Sequence, residues 1–213
     1  MPARVSEAVI LRTYPFREAD LIVSFFTRDQ GKLRGVARRV RKPSNRFGSG
    51  LERLSYVRMN YYWRENRELG TLDSCELIHS GFSLSSDYAA SVALDFLAEV
   101  SEHLLPAAEP SERFFRLLLA MSSHLSQTGA EAVWPTVNYF TLWAVRLGGF
   151  LPPLEMTEED RTIAEEMLRT PIADLTPRPW DRQTFRGLRR SLLRLIEEHV
   201  ERKLVTPAYL DTL

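Results

Sequence analysis

The spacing of apolar residues changes near residue 80, and this change limits what the chain can fold into. Before residue 80, apolar residues form short runs, in places at every second position, which is typical of β-strands. After it, they recur at every third or fourth position, which is typical of helices that bury one side. The sequence of 213 residues therefore predicts an α+β protein with two domains, at residues 1–80 and 81–213.

Five strands are predicted in the first domain, separated by turn-forming residues. They are expected at residues 5–13, 21–27, 33–41, 54–63 and 70–78. In the fourth, Val57, Met59 and Tyr61 alternate with polar or half-polar residues, so one face is expected to be buried. Five short strands predict a small barrel or a sandwich.

The second domain is predicted to be all-α. Helix-capping residues and apolar periodicity predict five helices. The first runs from Ser85 or Ser86 to just before Pro106, and the second begins at Ser111. The third runs from about Trp134 to the glycine pair at 148–149, the fourth follows Thr157, and the fifth covers residues 181–203. Residues 170–180 contain three prolines and are predicted to form a connection.

Several kinds of chemistry lack the residues that they need. The single Cys75 permits no internal disulfide and no zinc site built on several cysteines of one chain, and it is predicted to fill a core position. The four histidines lie far apart, and the acidic residues 158–160 suit a helix N-terminus. The sequence has no P-loop, dinucleotide-binding or nucleophile-elbow motif. We expect no cofactor, no metal and no enzymatic activity.

The sequence also lacks the apolar segments that membranes and export require. No apolar run reaches the ~20 residues of a membrane-spanning helix. The N-terminal residues lack the apolar core and cleavage site of a signal peptide. We expect a cytoplasmic protein.

Positive charge is concentrated in one segment of a neutral chain. The chain has 28 basic and 28 acidic residues, but residues 31–46 hold seven basic residues and no acidic one. Residues 1–80 carry a net charge of +6, and residues 81–213 carry −6. Such a separation is typical of proteins that bind nucleic acid or, less often, an anionic membrane. The alternative is a basic hairpin that is only solvated.

Single-stranded nucleic acid binds where cations follow its backbone and flat side chains stack on its bases. Both types occur in the first domain, and we predict that nucleic acid contacts Lys32, Arg34, Arg38, Arg39, Arg41, Lys42, Arg46, Tyr56, Arg58 and Tyr62. In a strand over residues 36–41, Arg39 and Arg41 would share one face and Arg38 would take the other. Exposed tyrosines are also common on strands that bind nothing. Tyr14 and Phe16 are predicted to pack within a loop.

Residues 8–39 contain, in order, a hydrophobic strand at 9–11, Glu18, a second strand at 21–26, the pair Phe26-Thr27, an acidic turn at 29–31 and a basic strand at 32–39. This order resembles the beginning of the bacterial RecO family of DNA repair proteins. Residues 139–154 are similar to the family's helix that ends in leucine–glycine. Residues 204–213 are similar to its C-terminal tail.

The resemblance implies an N-terminal, five-stranded OB-fold barrel followed by a helical domain. It implies binding of single- and double-stranded DNA, annealing of complementary strands, and partnership with RecR. With RecR, such a protein helps to load a RecA-type recombinase on DNA coated by single-stranded-DNA-binding protein. Many members carry a four-cysteine zinc module after the leucine–glycine helix. Residues 150–180 contain no cysteine, so the resemblance implies a zinc-free member with a shortened insert.

The last predicted helix offers a candidate site for a protein partner. Four of its arginines can share one side, namely Arg182, Arg186, Arg189 and Arg190, and the last three are the predicted partner-binding residues. Phe185 and Leu188 lie beside them and could edge an apolar pocket. This side is predicted to bind the acidic C-terminal tail of single-stranded-DNA-binding protein, which ends in a hydrophobic residue. Alternatively, these arginines pair with Glu165, Glu166 and their neighbours on an adjacent helix.

Two other functions stay open on the residues alone. The basic segment could dock an acidic protein, which would make the chain an interaction adaptor. Carboxylates could also form a hidden site that modifies nucleic acid. A salt titration with single-stranded DNA distinguishes the first of these from a DNA-binding protein. A nuclease assay with and without magnesium tests the second.

Overall fold

Strands come first along the chain and helices follow. The computed structural model describes residues 3–40, 46–64, 67–80, 87–153 and 156–213. The strands are β1 (Ala3–Phe16), β2 (Asp20–Thr27), β3 (Gly31–Ala37), β4 (Tyr56–Tyr62) and β5 (Gly70–His79). The helices are α1 (Tyr88–Leu104), α2 (Glu112–Thr128), α3 (Val133–Leu147), α4 (Glu158–Arg169), α5 (Arg186–His199) and α6 (Thr206–Leu210). Among the described residues, none of these helices is both long enough and apolar enough to cross a membrane.

The five strands close into a barrel in the order β1-β2-β3-β5-β4. β1 is antiparallel to β2 on one side and to β4 on the other, and this double pairing closes the barrel. β3 and β5 pair in parallel over a short stretch that begins at Gly35 and Gly70. A closed five-stranded barrel with this order is an OB-fold. The predicted α+β fold, a five-stranded OB barrel followed by helices, is confirmed.

Alternate residues of the strands fill the barrel. Val57, Met59 and Tyr61 of β4 point inward and are at most 1% exposed, as their spacing predicts. In β1, a register shift between Ile10 and Arg12 interrupts the alternation. The barrel core consists of Ala8, Ile10, Val23, Phe25, Leu33, Ala37, Phe47, Leu51, Val57, Met59, Tyr61 and Leu72.

One compact unit joins the barrel to a segment that is distant in sequence. It comprises Met1–Ser83 and Ser101–Phe115. Phe26 points out of the barrel, and its ring packs against those of Phe114 and Phe115, with centroids 6.1 and 5.9 Å away. The later segment therefore covers apolar surface outside the barrel. The predicted division at residues 1–80 and 81–213 stays a proposal.

The second compact unit comprises Leu84–Val100 and Arg116–Leu213, and α3 is its central helix. Twelve of the fifteen residues of α3 are buried, which is the pattern of a helix surrounded by others. The ring of Phe140 packs edge-on against that of Phe96, with centroids 6.2 Å apart. The Trp143 indole nitrogen donates to the last turn of α4, so its polar atom is satisfied within the core.

Most predicted helix ends are found where capping chemistry places them. The side chains of Thr157 and Ser111 each accept a hydrogen bond from the backbone N–H three residues later, and these bonds cap α4 and α2. The glycine pair ends α3, with Gly149 at a φ of 79°. For α1, the capping side chain within the described residues is Asp87. The caps predicted at 85–86 lie outside the described residues.

Two predicted elements were too long. The strand predicted at 33–41 ends at Ala37, and Arg39 lies in the following turn with a φ of 57°. The predicted alternation of Arg38 and Arg39 across a strand is therefore wrong. The helix predicted at 181–203 begins only at Arg186, because Phe185 has a left-handed φ of 63° that a helix cannot contain.

Candidate nucleic-acid interface

Three neighbouring strands place cations and aromatic rings on one outer face of the barrel. Arg12 of β1 lies opposite Ser24 of β2, which lies opposite Arg34 of β3. Two residues further along, Tyr14 belongs to the same face, because strand side chains alternate. We call this surface the β1–β3 face, and it is formed by Arg12, Tyr14, Phe16, Ile22, Ser24, Arg34 and Val36.

Guanidinium groups lie close to the aromatic rings of the β1–β3 face. The Tyr14 ring centroid is 5.2 Å from the guanidinium carbon of Arg12 and 5.8 Å from that of Arg34. At the end of β1, the guanidinium carbon of Arg17 is 5.2 Å from the Phe16 ring centroid. These distances are within the range of cation–π attraction. The face therefore combines positive charge with flat side chains, as single-stranded nucleic acid requires.

A buried carboxylate belongs to the same cluster. Glu102 lies at the end of α1, in the part that clusters with the barrel, and is 2% exposed. Its carboxylate accepts hydrogen bonds from Ser24 Oγ at 2.5 Å, Arg34 Nη2 at 2.7 Å and Tyr14 Oη at 3.3 Å. Its backbone carbonyl accepts a hydrogen bond from Lys32 Nζ at 2.5 Å. One residue thus connects side chains from three strands.

The Glu102 contacts also affect the pKa values of neighbouring groups. The hydrogen bond that Arg34 donates to Glu102 raises the pKa of that guanidinium. Burial, and secondly the nearby Glu102 carboxylate, raises the pKa of Tyr14. Burial lowers the pKa of Lys32. Because its ammonium group is half-buried and already donates to Glu102, Lys32 is less accessible to a phosphate than Arg34, whose side chain is 51% exposed.

The structure divides the predicted basic residues among different environments. Arg34 lies on the β1–β3 face, and Arg38 and Arg39 are exposed in the turn that follows β3. The backbone N–H of Arg39 donates to the Asp20 carboxylate at 2.9 Å, which ties this turn to the beginning of β2. Arg46 forms an ion pair at 3.1 Å with Asp73 of β5. The predicted contacts Arg41 and Lys42 lie outside the described residues.

The predicted stacking residues lie on a different side of the barrel, on the outside of β4: Tyr56, Arg58 and Tyr62. Arg58 is opposite Glu7 on β1 and forms an ion pair at 2.9 Å with Glu76 on β5. The Tyr56 ring packs edge-on against Phe115. Since β5 separates β4 from β3, the structure does not bring these residues together with the basic residues of β3.

Sequence reasoning missed the part of the face that β1 supplies. The prediction that Tyr14 and Phe16 pack in a loop is wrong, because β1 continues through Pro15 and pairs with β2 as far as Phe16. Proline fits an extended strand near its end, where its fixed φ is compatible and a missing N–H costs little. The alternation of Arg12, Tyr14 and Phe16 was the signal that could have revealed this surface.

In the helical unit, one of the three predicted partner-binding arginines is buried. Arg189 is 4% exposed, and its guanidinium donates to the side chain of Asn138 and to the backbone carbonyls of Arg182 and Thr184. Arg189 is therefore a packing residue that a peptide cannot reach, which corrects the expectation that it shares an exposed side with Arg186.

The other two predicted arginines are more accessible. Arg190 is exposed, and Arg186 is half-buried and donates to Gln183 through Nη1 at 3.0 Å. The alternative was that these arginines pair with Glu165 and Glu166 of α4. In the described structure, Glu165 instead pairs with Arg169, and Glu166 pairs with Arg178. An arginine cluster thus remains at the N-terminal side of α5, made of Arg186 and Arg190 of the helix and Arg182 of the preceding segment, which pairs with Asp211 at 3.6 Å.

Metal-binding residues are not clustered in the part of the chain that the structure describes. No group of three or more His, Cys, Asp and Glu side chains could hold an ion there. Cys75 is half-buried and packs against the barrel core, and its thiol donates to the Phe47 carbonyl with Sγ 3.4 Å from the oxygen.

Comparison with known proteins gives the family of the chain. The family model "Recombination protein O N terminal" matches residues 1–81, and "Recombination protein O C terminal" matches residues 85–159. The DNA repair protein RecO of Koribacter versatilis is 43% identical over an alignment of 242 positions, which covers 98% of each chain. This alignment is longer than the present chain, so the relative has residues without a counterpart here.

Two further relatives have the same description. The DNA repair protein RecO of Cutibacterium acnes is 31% identical over 159 residues, which cover 72% of this chain and 64% of the relative. That of Frankia casuarinae is 38% identical over 153 residues, which cover 70% and 61%. With both family models matched in sequence order and a relative aligned along nearly its whole length, the chain belongs to the recombination protein O family of DNA repair proteins.

Proposed function

We propose that this protein binds single- and double-stranded DNA and anneals complementary strands. With RecR, it helps to load a RecA-type recombinase on DNA coated by single-stranded-DNA-binding protein. The observation that carries the DNA-binding part is the β1–β3 face, where Arg12 and Arg34 lie beside the ring of Tyr14. Arg38 and Arg39 extend the positive charge beyond the end of β3.

The chemistry of annealing supports a role without catalysis of covalent steps. Two complementary strands repel each other through their phosphates, and a basic surface that binds both reduces this repulsion. Arginine contacts the phosphates, while aromatic and guanidinium planes stack on unpaired bases. No cofactor is needed for these steps. We therefore propose a non-enzymatic, cytoplasmic protein.

The arginine cluster of α5 is our proposed site for the tail of single-stranded-DNA-binding protein. Burial, together with repulsion from Arg186, Arg190 and Arg182, lowers the pKa of Arg189 to about 10, although Asp211 opposes this shift. Carboxylates of an acidic tail would relieve the repulsion and pair with the exposed guanidinium groups. The partner surface for RecR is proposed for the helical domain without assignment to particular residues.

DNA binding can be tested by measuring the affinity for a fluorescent single-stranded oligonucleotide over a series of salt concentrations. Arg12→Ala and Arg38→Ala should each reduce the slope of log affinity against log salt by about 0.7, the value for one lost phosphate contact on a single strand. Both side chains are exposed, so the melting temperature should not change. The rate of annealing of two complementary oligonucleotides should fall in the same variants.

Arg58→Ala provides the comparison for the other side of the barrel. Its side chain is 52% exposed, similar to that of Arg34, but it lies between Glu7 and Glu76. We expect a small effect on the slope. If Arg58→Ala is the only one of these variants that reduces the slope, the DNA site lies on β4. Wild-type protein that binds no DNA but captures an acidic protein would favour an interaction adaptor.

A further inference from the structure

We propose that Glu102 is a positioning residue for single-stranded DNA. Its buried carboxylate holds the Tyr14 ring and the Arg34 guanidinium in the arrangement that receives a base and a phosphate. The proposal rests on the proposed function of the β1–β3 face. It assigns a role to an acidic residue that cannot itself contact DNA, because it is 2% exposed.

The carboxylate is well placed to fix the face because its donors come from three adjacent strands. Tyr14 is in β1, Ser24 is in β2 and Arg34 is in β3, and each donates a hydrogen bond to Glu102. A buried carboxylate without partners is costly, so these donors are held strongly in place. These hydrogen bonds therefore restrict the rotamers of Tyr14 and Arg34, the two side chains that reach the surface.

The held side chains still have groups to offer a ligand. Arg34 donates to Glu102 through Nη2, while its side chain is 51% exposed and a guanidinium has five N–H donors. Tyr14 donates through its hydroxyl, which leaves the ring to interact with the guanidinium groups of Arg12 and Arg34 and with a base. Glu102 therefore anchors the ends of the side chains and not their binding surfaces.

Two effects of the carboxylate on DNA affinity have opposite signs. As a negative charge near phosphates, it would weaken binding. As an anchor, it strengthens binding, because side chains that are already ordered lose less freedom when the ligand arrives. The ion pair with Arg34 compensates the charge of Glu102, so the geometry favours the anchoring effect. A variant without the charge therefore distinguishes the two effects, since its DNA affinity rises if repulsion dominates and falls if anchoring dominates.

The first experiment measures single-stranded DNA affinity for Glu102→Gln in the full chain. We expect affinity to fall by about three- to tenfold, the loss expected when one or two side chains must be ordered on binding. The salt slope should stay nearly constant, because the cations are still present. The matched control is Glu112→Gln, which removes an exposed acid from the same segment, where it pairs with Arg28. It should bind as the wild type does.

A double-mutant cycle tests whether Glu102 acts through Arg34. In an Arg34→Ala background, Glu102→Gln should cause a smaller loss of affinity than in the wild type, because only the anchoring of Tyr14 is left to lose, whereas a general structural effect would add fully. If Glu102→Gln does not fold, Ser24→Ala replaces it as the test variant. Ser24 is fully buried and cannot touch DNA, yet it donates to the carboxylate, so its removal should weaken binding in the same direction but less.

Tighter binding by Glu102→Gln would overturn the proposal and make the carboxylate a competitor of the phosphates. The proposal would also be overturned if the losses of affinity caused by Glu102→Gln and Arg34→Ala were fully additive. If Glu102→Gln does not fold, wild-type affinity of Ser24→Ala would overturn it. The proposed function fails in a different way. In that case the wild type does not bind DNA, or Arg34→Ala and Tyr14→Leu bind as well as the wild type.

Discussion

The guanidinium carbon of Arg189 lies 4.5 Å from the centroid of the Trp134 ring, in the interior of the helical unit. Its Nη1 atom donates to the Asn138 side chain at 2.8 Å, and its Nη2 atom donates to the Arg182 carbonyl at 2.7 Å. The side chain therefore joins α3 to the turn that precedes α5. It is a cation used for packing and hydrogen bonding rather than for recognition at the surface.

Removing this side chain should destabilise the protein. We expect Arg189→Ala to lower the free energy of unfolding by about 2–4 kcal/mol, because it leaves buried acceptors without a donor and the Trp134 ring without its partner. Arg190→Ala, one residue later and exposed, should change it by less than about 0.5 kcal/mol. Urea titrations followed by circular dichroism measure both. Equal losses would contradict the burial of Arg189.

Charge reversal of the arginine cluster should affect partner binding alone. Arg186→Glu combined with Arg190→Glu should abolish binding of a peptide that matches an acidic tail with a hydrophobic end, because like charges then repel. Binding of single-stranded DNA should be retained. Fluorescence anisotropy with the labelled peptide and with a labelled oligonucleotide measures both.

The control for the peptide experiment is Arg194→Glu. Arg194 is exposed on the same helix, where it lies 3.7 Å from Glu198, and it is outside the cluster. This variant should bind the peptide nearly as the wild type does. If the double variant keeps wild-type affinity, α5 has only a structural role and the tail docks elsewhere.

A close approach of two backbone segments leaves no room for a side chain at Gly31. Gly31 has a φ of 76°, and a Cβ atom there would lie 2.4 Å from backbone atoms of Glu109. Gly48 also has a positive φ, of 52°, but its added Cβ would meet nothing within 4 Å. Gly48→Ala should cost about 1 kcal/mol of stability for the left-handed backbone alone, and Gly31→Ala at least twice that. Thermal unfolding of the two variants provides the comparison.

The thiol of Cys75 should react slowly in the folded protein. Burial raises its pKa from 9.0 to about 11, so the reactive thiolate is scarce at pH 8. We expect modification by a thiol reagent at pH 8 to be about 100-fold slower than in urea, and to speed up as the pH rises toward the folded pKa. Reaction at the same rate in both conditions would show that Cys75 is open to solvent.

Much of the barrel could be predicted from the sequence because a strand with one buried face has apolar residues at every second position. β4 illustrates this: Val57, Met59 and Tyr61 are buried at the alternate positions that the pattern indicates. The end of β3 could not be predicted in the same way. Residues 36–41 are compatible with both a strand and a turn, and tertiary context decides between them.

Only part of the candidate site could be predicted, because some of its contacts join residues that are far apart in the sequence. The basic residues of β3 stand out as a run of charge, but the ion pair between Arg34 and Glu102 joins residues 68 positions apart. No local pattern encodes such a contact. Periodicity likewise places Arg189 on one side of α5 without revealing that Asn138 and Trp134 bury it.

The presence of Phe114 and Phe115 in the barrel unit has a consequence for protein synthesis. A ribosome adds about 5–20 residues per second, so these two rings appear some 2–7 seconds after β5 has been made. During that interval, the outward side of Phe26 lacks its cover and stays in contact with water. The barrel can therefore bury Phe26 completely only after the first turn of α2 has been synthesised.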